Sequence, residues 1–443
     1  MKLDQFRDKM FEYALGSGCG AAEVYFTEGE QFEVTVLSGE VDKYSVSRTF
    51  GLNLRVQVNG RNGYAYTEIL EEPEALVERA MDNAKTIEND DEQPMQGKSE
   101  YVSVQNPDVP LMRFDEREKI QLALQMEKAA LEQDKRVLRV PQCTLISAKG
   151  RVNLYNTLGL CAEEESEIAV TYLCPVISND GEIKDGFAFR IGSAAHDVEA
   201  AAKEAVLEAV IKLGASSVPA GSYRVLLRNT AAADILDAFS PMFSADNAQK
   251  GLSLLADTQG QSIAADIISI VDDPFYKDFP RAFDGEGVPS VLTDVVENGV
   301  QKSLLHNLKT AKKAAVASTS NGGRNGAAAP VGVTPSNFYI KPGQSSYDSL
   351  VAKLDNGLII TDISGTHAGV DAVSGEFSLL AKGQLVKDGK TVRAVEQITV
   401  GGSFIELMKR VSAVGDDLKF GMPSSGCFGS PSLLISELVV AGE

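Results

Sequence analysis

The chain has 443 residues, 44% hydrophobic and 23% charged, enough for two domains or three with their own cores. Its 42 basic and 62 acidic residues give a net charge of -20, which repels phosphates and argues against nucleic acid as a direct partner. No apolar run approaches the roughly 18 residues needed to span a bilayer, so no membrane partner is expected.

The N-terminal stretch MKLDQFRDKMFEYALGSG does not read as a signal peptide. Asp4, Arg7, Asp8 and Lys9 interrupt any apolar run, and Leu3, Phe6, Met10 and Tyr13 mark one face of an amphipathic helix. AEVYFTE (22–28) reads as a strand, followed by QFEVTVLSG, EVDKYSVSR, FGLNLRVQV and RNGYAYTE. Ser38-Gly39 and Asn59-Gly60 are hairpin turns between them, so an antiparallel meander is expected. Residues 71–88 predict a helix with Pro73 in its first turn and a stripe of Ala75, Leu76, Ala80, Met81 and Ala84. Residues 115–133 and 197–213 predict two more long helices, with strands over 137–192 turning at Asn179-Asp180-Gly181.

ASSVPAG (215–221) is a boundary in composition, dividing the chain into 1–214 and 222–443. Beyond it, YRVLLR (223–228) predicts a strand and TAAADILDAF a helix that opens the second half. Hairpins are expected about Asn298-Gly299 and Asp388-Gly389, and PSLLISELVVAG (431–442) is a closing strand. Residues 317–337 read as an irregular loop. The expected class is α+β: an N-terminal α/β domain with a meander and long helices, then a mostly antiparallel β domain.

Catalytic options are few. His196, His306 and His367 are the only histidines, and no two lie three to five residues apart, so this chain builds no zinc-binding helix of its own. There is no GxSxG, P-loop or strand-borne GxGxxG. The five cysteines are scattered, with no CxxC, which suits reduced thiols and a cytoplasmic location.

Four places remain. Asp272, Asp273, Asp284 and Glu286, with nearby glycines, would suit either a hard-cation loop or a turn whose acids are solvated or cap backbone N–H groups. Asn321, Gly322, Gly323, Arg324 and Asn325 form a glycine-rich loop, read as peptide-binding with Arg324 exposed, or as a plain surface connection. His367, between glycines and near Asp371, Ser374 and Glu376, is a general base or a structural hydrogen-bond donor. Cys427 in PSSGCFGSPS is a nucleophile or a plain loop thiol.

Several stretches, in order across nearly the whole chain, resemble one family. They are VLSGEVDKYSVSRTFGLNLRVQVNGRNGYAYTE, NAQKGLSLL, DDPFYKDFPRAFDGEGVPSVLTDVVENGVQKSLL, SNGGRNG, TPSNFYIKPG, LIITDISGTHAGVDAVSGEFSLLAKG and GSPSLLISELVVAG. Together they resemble the TldD/PmbA proteins, also named modulators of DNA gyrase. The resemblance implies two branches: TldD with a zinc-binding HExxxH helix and a later cysteine, and PmbA (TldE) without that motif. It also implies that the two assemble into a peptidase admitting unfolded peptides. Counting back from Lys250-Gly251, the HExxxH window falls on residues 236–241, Leu-Asp-Ala-Phe-Ser-Pro. Leu236 and Pro241 stand where histidines are implied, with an acid at Asp237, and no histidine lies between His196 and His306.

The resemblance therefore implies a PmbA/TldE-type subunit with no metal of its own and no catalytic residue. Zinc is expected in a TldD-type partner forming a heterodimer, with unfolded peptide as substrate. Two alternatives stay open. One is a self-sufficient hydrolase using Cys427 or His367. The other is a homodimeric peptide-binding protein without proteolytic role.

Overall fold

The structure, a computed structural model, describes residues 1–86 and 93–443. The first half runs α1 (Leu3–Gly16), β1 (Ala21–Leu37), β2 (Glu40–Val58), β3 (Arg61–Thr67), α2 (Pro73–Thr86), α3 (Glu116–Gln133), β4 (Val137–Asn156), β5 (Cys161–Asn179), β6 (Glu182–Asp185), β7 (Ala188–Ile191) and α4 (Val198–Val210). Residues 87 and 88, the expected end of the second helix, lie outside the described residues.

These strands form one antiparallel sheet in the order β3-β2-β1-β4-β5-β6, with β7 also on β5. The meander is as expected, and its turns sit at Ser38-Gly39 and Asn59-Gly60, with all four φ values positive. That backbone matches the twist of the flanking strands, and glycine takes it without a Cβ clash. One expectation is corrected. The segment 22–28 and the strand part of 31–39, up to Leu37, belong to a single 17-residue strand, because the pairing with β4 continues unbroken through Glu28, Gly29, Glu30 and Gln31.

Two helix pairs cover one face of this sheet. Phe6 and Met10 of α1 and Leu76, Val77 and Ala80 of α2 bury against Val24, Phe26, Leu52 and Leu54. Val77 takes the place expected of Ala75, which is exposed. Ala123 and Met126 of α3 and Ala201 and Ala205 of α4 bury against Phe32, Val34 and Leu145. An Asp115–Glu118 capping box starts α3 by satisfying N–H groups that have no partner within the helix.

The second half runs β8 (Gly221–Leu227), α5 (Asn229–Phe239), α6 (Ala245–Gln249), β9 (Ile270–Asp272), β10 (Thr293–Glu297), β11 (Val300–Gln301), α7 (Leu308–Ala314), β12 (Gly322–Gly323), β13 (Gly332–Val333) and β14 (Asn337–Ile340). It continues with α8 (Tyr347–Leu354), β15 (Gly357–Ser364), α9 (Thr366–Gly369), β16 (Val370–Asp371), β17 (Glu376–Lys387), β18 (Lys390–Ser403), α10 (Phe404–Lys409), β19 (Val411–Val414), β20 (Lys419–Phe420), β21 (Cys427–Ser430) and β22 (Leu433–Ala441). Most pairings are antiparallel, the exceptions among named strands being β8–β15 and β14–β21. The expected irregular loop holds one short ladder, Gly322 opposite Val333 and Gly323 opposite Gly332. The fold is α+β, and no helix among the described residues is long and apolar enough to cross a membrane.

Alternation along β1 joins the halves. Phe26 points into the helix-covered core, while its neighbour Tyr25 packs with Leu154, Leu160, Phe283 and Ala327. Phe283 and Ala327 belong to the second half, so an apolar seam runs between the two.

Candidate functional site

Two places are built around the candidates. The first is α5, where the family motif would fall. Its inner face, including Ile235, Leu236 and Phe239, is buried in the core of the second half. After Phe239 the chain tightens into a 3-10 turn over Ser240–Phe243, with Pro241 in its first positions. Proline lacks the N–H that would continue the α-helical ladder.

The outer face of α5 carries Asp234, Asp237 and Ala238, which line an open depression of about 490 Å³ with Thr366 and His367 of α9. Ser424 Oγ donates to Asp237 Oδ2 at 3.1 Å. Desolvation by the walls, then repulsion from Asp237 and Asp362, push Asp234 up to about 6 against the pull of Arg228. Asp234 still meets solvent, so screening keeps the stability consequence small. Burial also raises Asp237, against its bond from Ser424.

Zinc needs about three lone-pair donors from the protein. Leu236 is a hydrocarbon 1% exposed, Pro241 offers no donor, and Asp237 supplies one carboxylate, so the residues at the implied positions do not fit the metal. Among the described residues no group of three or more His, Cys, Asp or Glu side chains is arranged to hold one. Cys427 is not part of this depression.

The second place is a cavity of about 320 Å³ between the halves. Tyr25, Val152 and Glu164 line it from the first half, and Arg281, Gly322–Arg324, Ser336, Asn337 and Cys427 from the second. The glycine-rich loop and Cys427 thus meet, while His367 lies in the other depression. Burial pushes the Cys427 thiol up to about 12, which works against a thiolate nucleophile near neutral pH.

The loop itself corrects an expectation. Arg324 is not an exposed charge: its side chain is 1% exposed and its Nη2 lies 3.0 Å from Glu23 Oε1, also 1% exposed. Arg324 Nε donates to the Gly285 carbonyl at 2.9 Å, and the guanidinium sits 4.5 Å from the centroid of the Tyr25 ring. Asn321 is also buried, donating to Asp272 Oδ2 at 2.7 Å, whereas Asn325 is exposed.

The acids are not solvated either. Asp272, Asp284 and Glu286 are 0%, 2% and 4% exposed. Asp272 accepts from the Ser336 N–H, and Asp284 accepts from the N–H groups of Glu286, Val288 and Gly322. Glu286 accepts from the Leu308 N–H, the first residue of α7, at 2.7 Å. Burial followed by repulsion from Asp284 pushes Glu286 up to about 8. These carboxylates hold turns by capping backbone donors.

Sequence reasoning missed Arg281 and Asp234. Arg281 sits in the acid-rich DDPFYKDFPRAFDG, and an arginine isolated among acids was the available signal. Asp234 lies one helical turn before Asp237, a spacing that places both on one face.

Three consecutive parts of the chain match family models. Residues 22–84 match the PmbA/TldA metallopeptidase domain 1, 111–213 its central domain and 220–442 its C-terminal domain. The chain belongs to the PmbA/TldD family. Among its relatives, the metalloprotease PmbA of Escherichia coli O157:H7 is 24% identical, over 100% of this chain and 96% of that protein. A solved Thermotoga maritima structure, named only as a proposed modulator of a DNA gyrase, is 32% identical with a TM-score of 0.92, covering 99% of this chain and 100% of that one. TldE from Thermococcus kodakarensis, at 21% identity and a TM-score of 0.90, shares the fold over 99% of this chain and 100% of its own.

Proposed function

We propose that this PmbA/TldD family member is a PmbA/TldE-type subunit, zinc-free and non-catalytic by itself, of a peptidase whose metal sits in a TldD-type partner. The observation that supports the reading is that a buried leucine in α5 and a proline in the 3-10 turn after it occupy the positions where the family resemblance implies two imidazoles. The substrate would be unfolded peptide, the partnership a heterodimer, and the location cytoplasmic. The division at residues 214–222 is kept as the border between the half that frames the junction and the half that carries α5. The hydrolase alternative has less support. Cys427 has a raised thiol and lies in a different cavity from His367, so the two cannot act as a pair. Nothing particular favours a homodimeric binding protein.

The test uses the untagged chain. Elemental analysis should find no stoichiometric zinc, and casein-type peptide should stay intact, with or without added zinc. Cleavage should appear only on mixing with a HExxxH-bearing partner. Zinc near one per chain, or chelator-insensitive cleavage lost on Cys427→Ala or His367→Ala, would overturn the reading.

A further inference from the structure

Among the described residues, nine buried side-chain polar atoms have no hydrogen-bond partner. Four of them belong to residues lining the cavity of about 320 Å³ between the halves: Arg281 Nε, Arg324 Nη1, Ser336 Oγ and Asn337 Oδ1. Buried polar atoms are rarely left unpaired, so a concentration of them around one cavity calls for an explanation.

The charges there are unequally matched. Arg324 is neutralised by Glu23. Asp284 is occupied by three backbone N–H groups, and Glu164 accepts from the Ala282 N–H. Arg281 forms no ion pair among the described residues; its guanidinium donates only to the Ser320 carbonyl, at 2.6 Å. An arginine guanidinium is a planar set of donors suited to a carboxylate, and here its Nε has no partner, although its charge also acts at longer range on Asp272, Asp284 and Glu164.

The single acceptor is also fixed. Asn337 Nδ2 donates to the carbonyls of Asp273 and Phe279 at 2.8 and 3.0 Å, so the amide oxygen must be the atom left over. Three donors and one acceptor match a carboxylate next to an amide N–H. That is the end of a peptide chain. At about 320 Å³ the space suits one or two residues, not a long segment.

We propose that the cavity formed by Arg281, Ser336 and Asn337 binds the C-terminal carboxylate of a peptide, with the preceding amide N–H given to Asn337. Arg281 and Ser336 hold the carboxylate, and Arg324 supplies a further donor while remaining paired with Glu23. The chain would then retain peptide ends at the junction of its halves while chemistry occurs elsewhere. The inference rests on the peptide-handling reading for its ligand class.

Binding to the isolated chain tests it without any partner or turnover, so its failure is separable from failure of the mixing assay. The probes are acetyl-alanyl-alanine, its C-terminal amide, and acetate alone, titrated by saturation-transfer NMR. The acid should bind saturably, and the amide and acetate should each bind at least about tenfold more weakly. Arg281→Gln should weaken the acid at least about tenfold and Ser336→Ala several-fold, since bonds to charged groups are the stronger ones. Thermal melts identify variants that remain folded; if Arg281→Gln does not fold, Ser336→Ala and the acid–amide comparison decide. No saturable binding up to about 20 mM, equal binding of acid and amide, or unchanged affinity in the folded variants overturns the proposal. Equal binding of acetate and the dipeptide acid would mean a simple anion site and overturns it as well.

Discussion

Arg324 and Glu23 are 301 residues apart in sequence, and their side chains meet at 3.0 Å, each 1% exposed. Arg55 joins the pair at 3.7 Å from Glu23 and is itself anchored to the Gln93 and Pro94 carbonyls. A contact read from sequence as a surface charge is thus a buried fastening between the halves. Removing one partner of such a pair strands the other in a low-dielectric site. Arg324→Ala should therefore cost about 3–5 kcal/mol, read from urea unfolding. The double variant Arg324→Met with Glu23→Leu should lose less than the sum of the two single changes, because both remove the same interaction, while Arg55 loses its acid in the double variant as in Glu23→Leu alone. A shift within about 0.5 kcal/mol for Arg324→Ala, the usual surface value, would contradict the burial.

Glu286 makes the junction sensitive to pH. Burial, then Asp284, push its carboxyl up to about 8; Glu23 adds to the rise, while the Leu308 N–H and Arg55 oppose it. In the unfolded chain a glutamate titrates at about 4.3. Between those values the folded chain holds a proton that the unfolded chain has lost. Stability contributed by this group is therefore full below about pH 4.3, declines as pH rises, and is gone above about pH 8. Wild type should be measurably less stable to urea at about pH 9 than at about pH 6. Glu286→Gln, which keeps the shape and cannot ionise, should flatten that difference. An unchanged pH slope in the variant would assign the effect to other groups.

The hairpin turns were legible because Ser38-Gly39, Asn59-Gly60 and Asp388-Gly389 carry their own local chemistry, and in each both residues have positive φ. The full length of β1 was not. Glu28 and Glu30 occupy the same face as Phe26 and Phe32 but fall between the two helix pairs, so a polar stretch interrupts the pattern without ending the strand. The helix α5 was legible from the run TAAADILDAF, whose apolar residues Ile235, Leu236 and Phe239 bury as its inner face. The burial of Arg324 was not, because its partner is supplied by a strand in the other half. For Asp284 and Glu286 the sequence left a cation loop, solvated acids and capping open, and the backbone N–H groups that they accept from decide for capping.

Gly322 sits against both buried carboxylates. A Cβ there would lie 2.7 Å from Glu286 Cγ, 2.8 Å from Glu286 Oε2 and 2.9 Å from Asp284 Oδ2. Neither carboxylate can retreat without loosening the backbone donors that it holds. Gly322→Ala should cost about 1–3 kcal/mol, the range for overpacking. Gly332→Ala, in the strand opposite and with nothing within 4 Å of its Cβ, is the control and should be near neutral. Equal melting of the two variants would mean that the loop yields without strain.

Cys427 and Cys161 offer a contrast within one chain. Cys161 is exposed, whereas Cys427 is partly covered and its thiol is pushed up to about 12, by burial first and with Arg281 pulling the other way. Alkylating reagents attack the thiolate, so the reaction rate follows the ionised fraction and access together. With iodoacetamide at about pH 8, Cys161 should be modified first and Cys427 at least about 100-fold more slowly. Peptide mass spectrometry over time reads both sites in the same sample. Unfolding in urea should abolish the difference, which separates protection by the fold from any intrinsic inertness. Comparable rates in the folded chain would revive Cys427 as a candidate nucleophile and weaken the case that this subunit leaves catalysis to a partner.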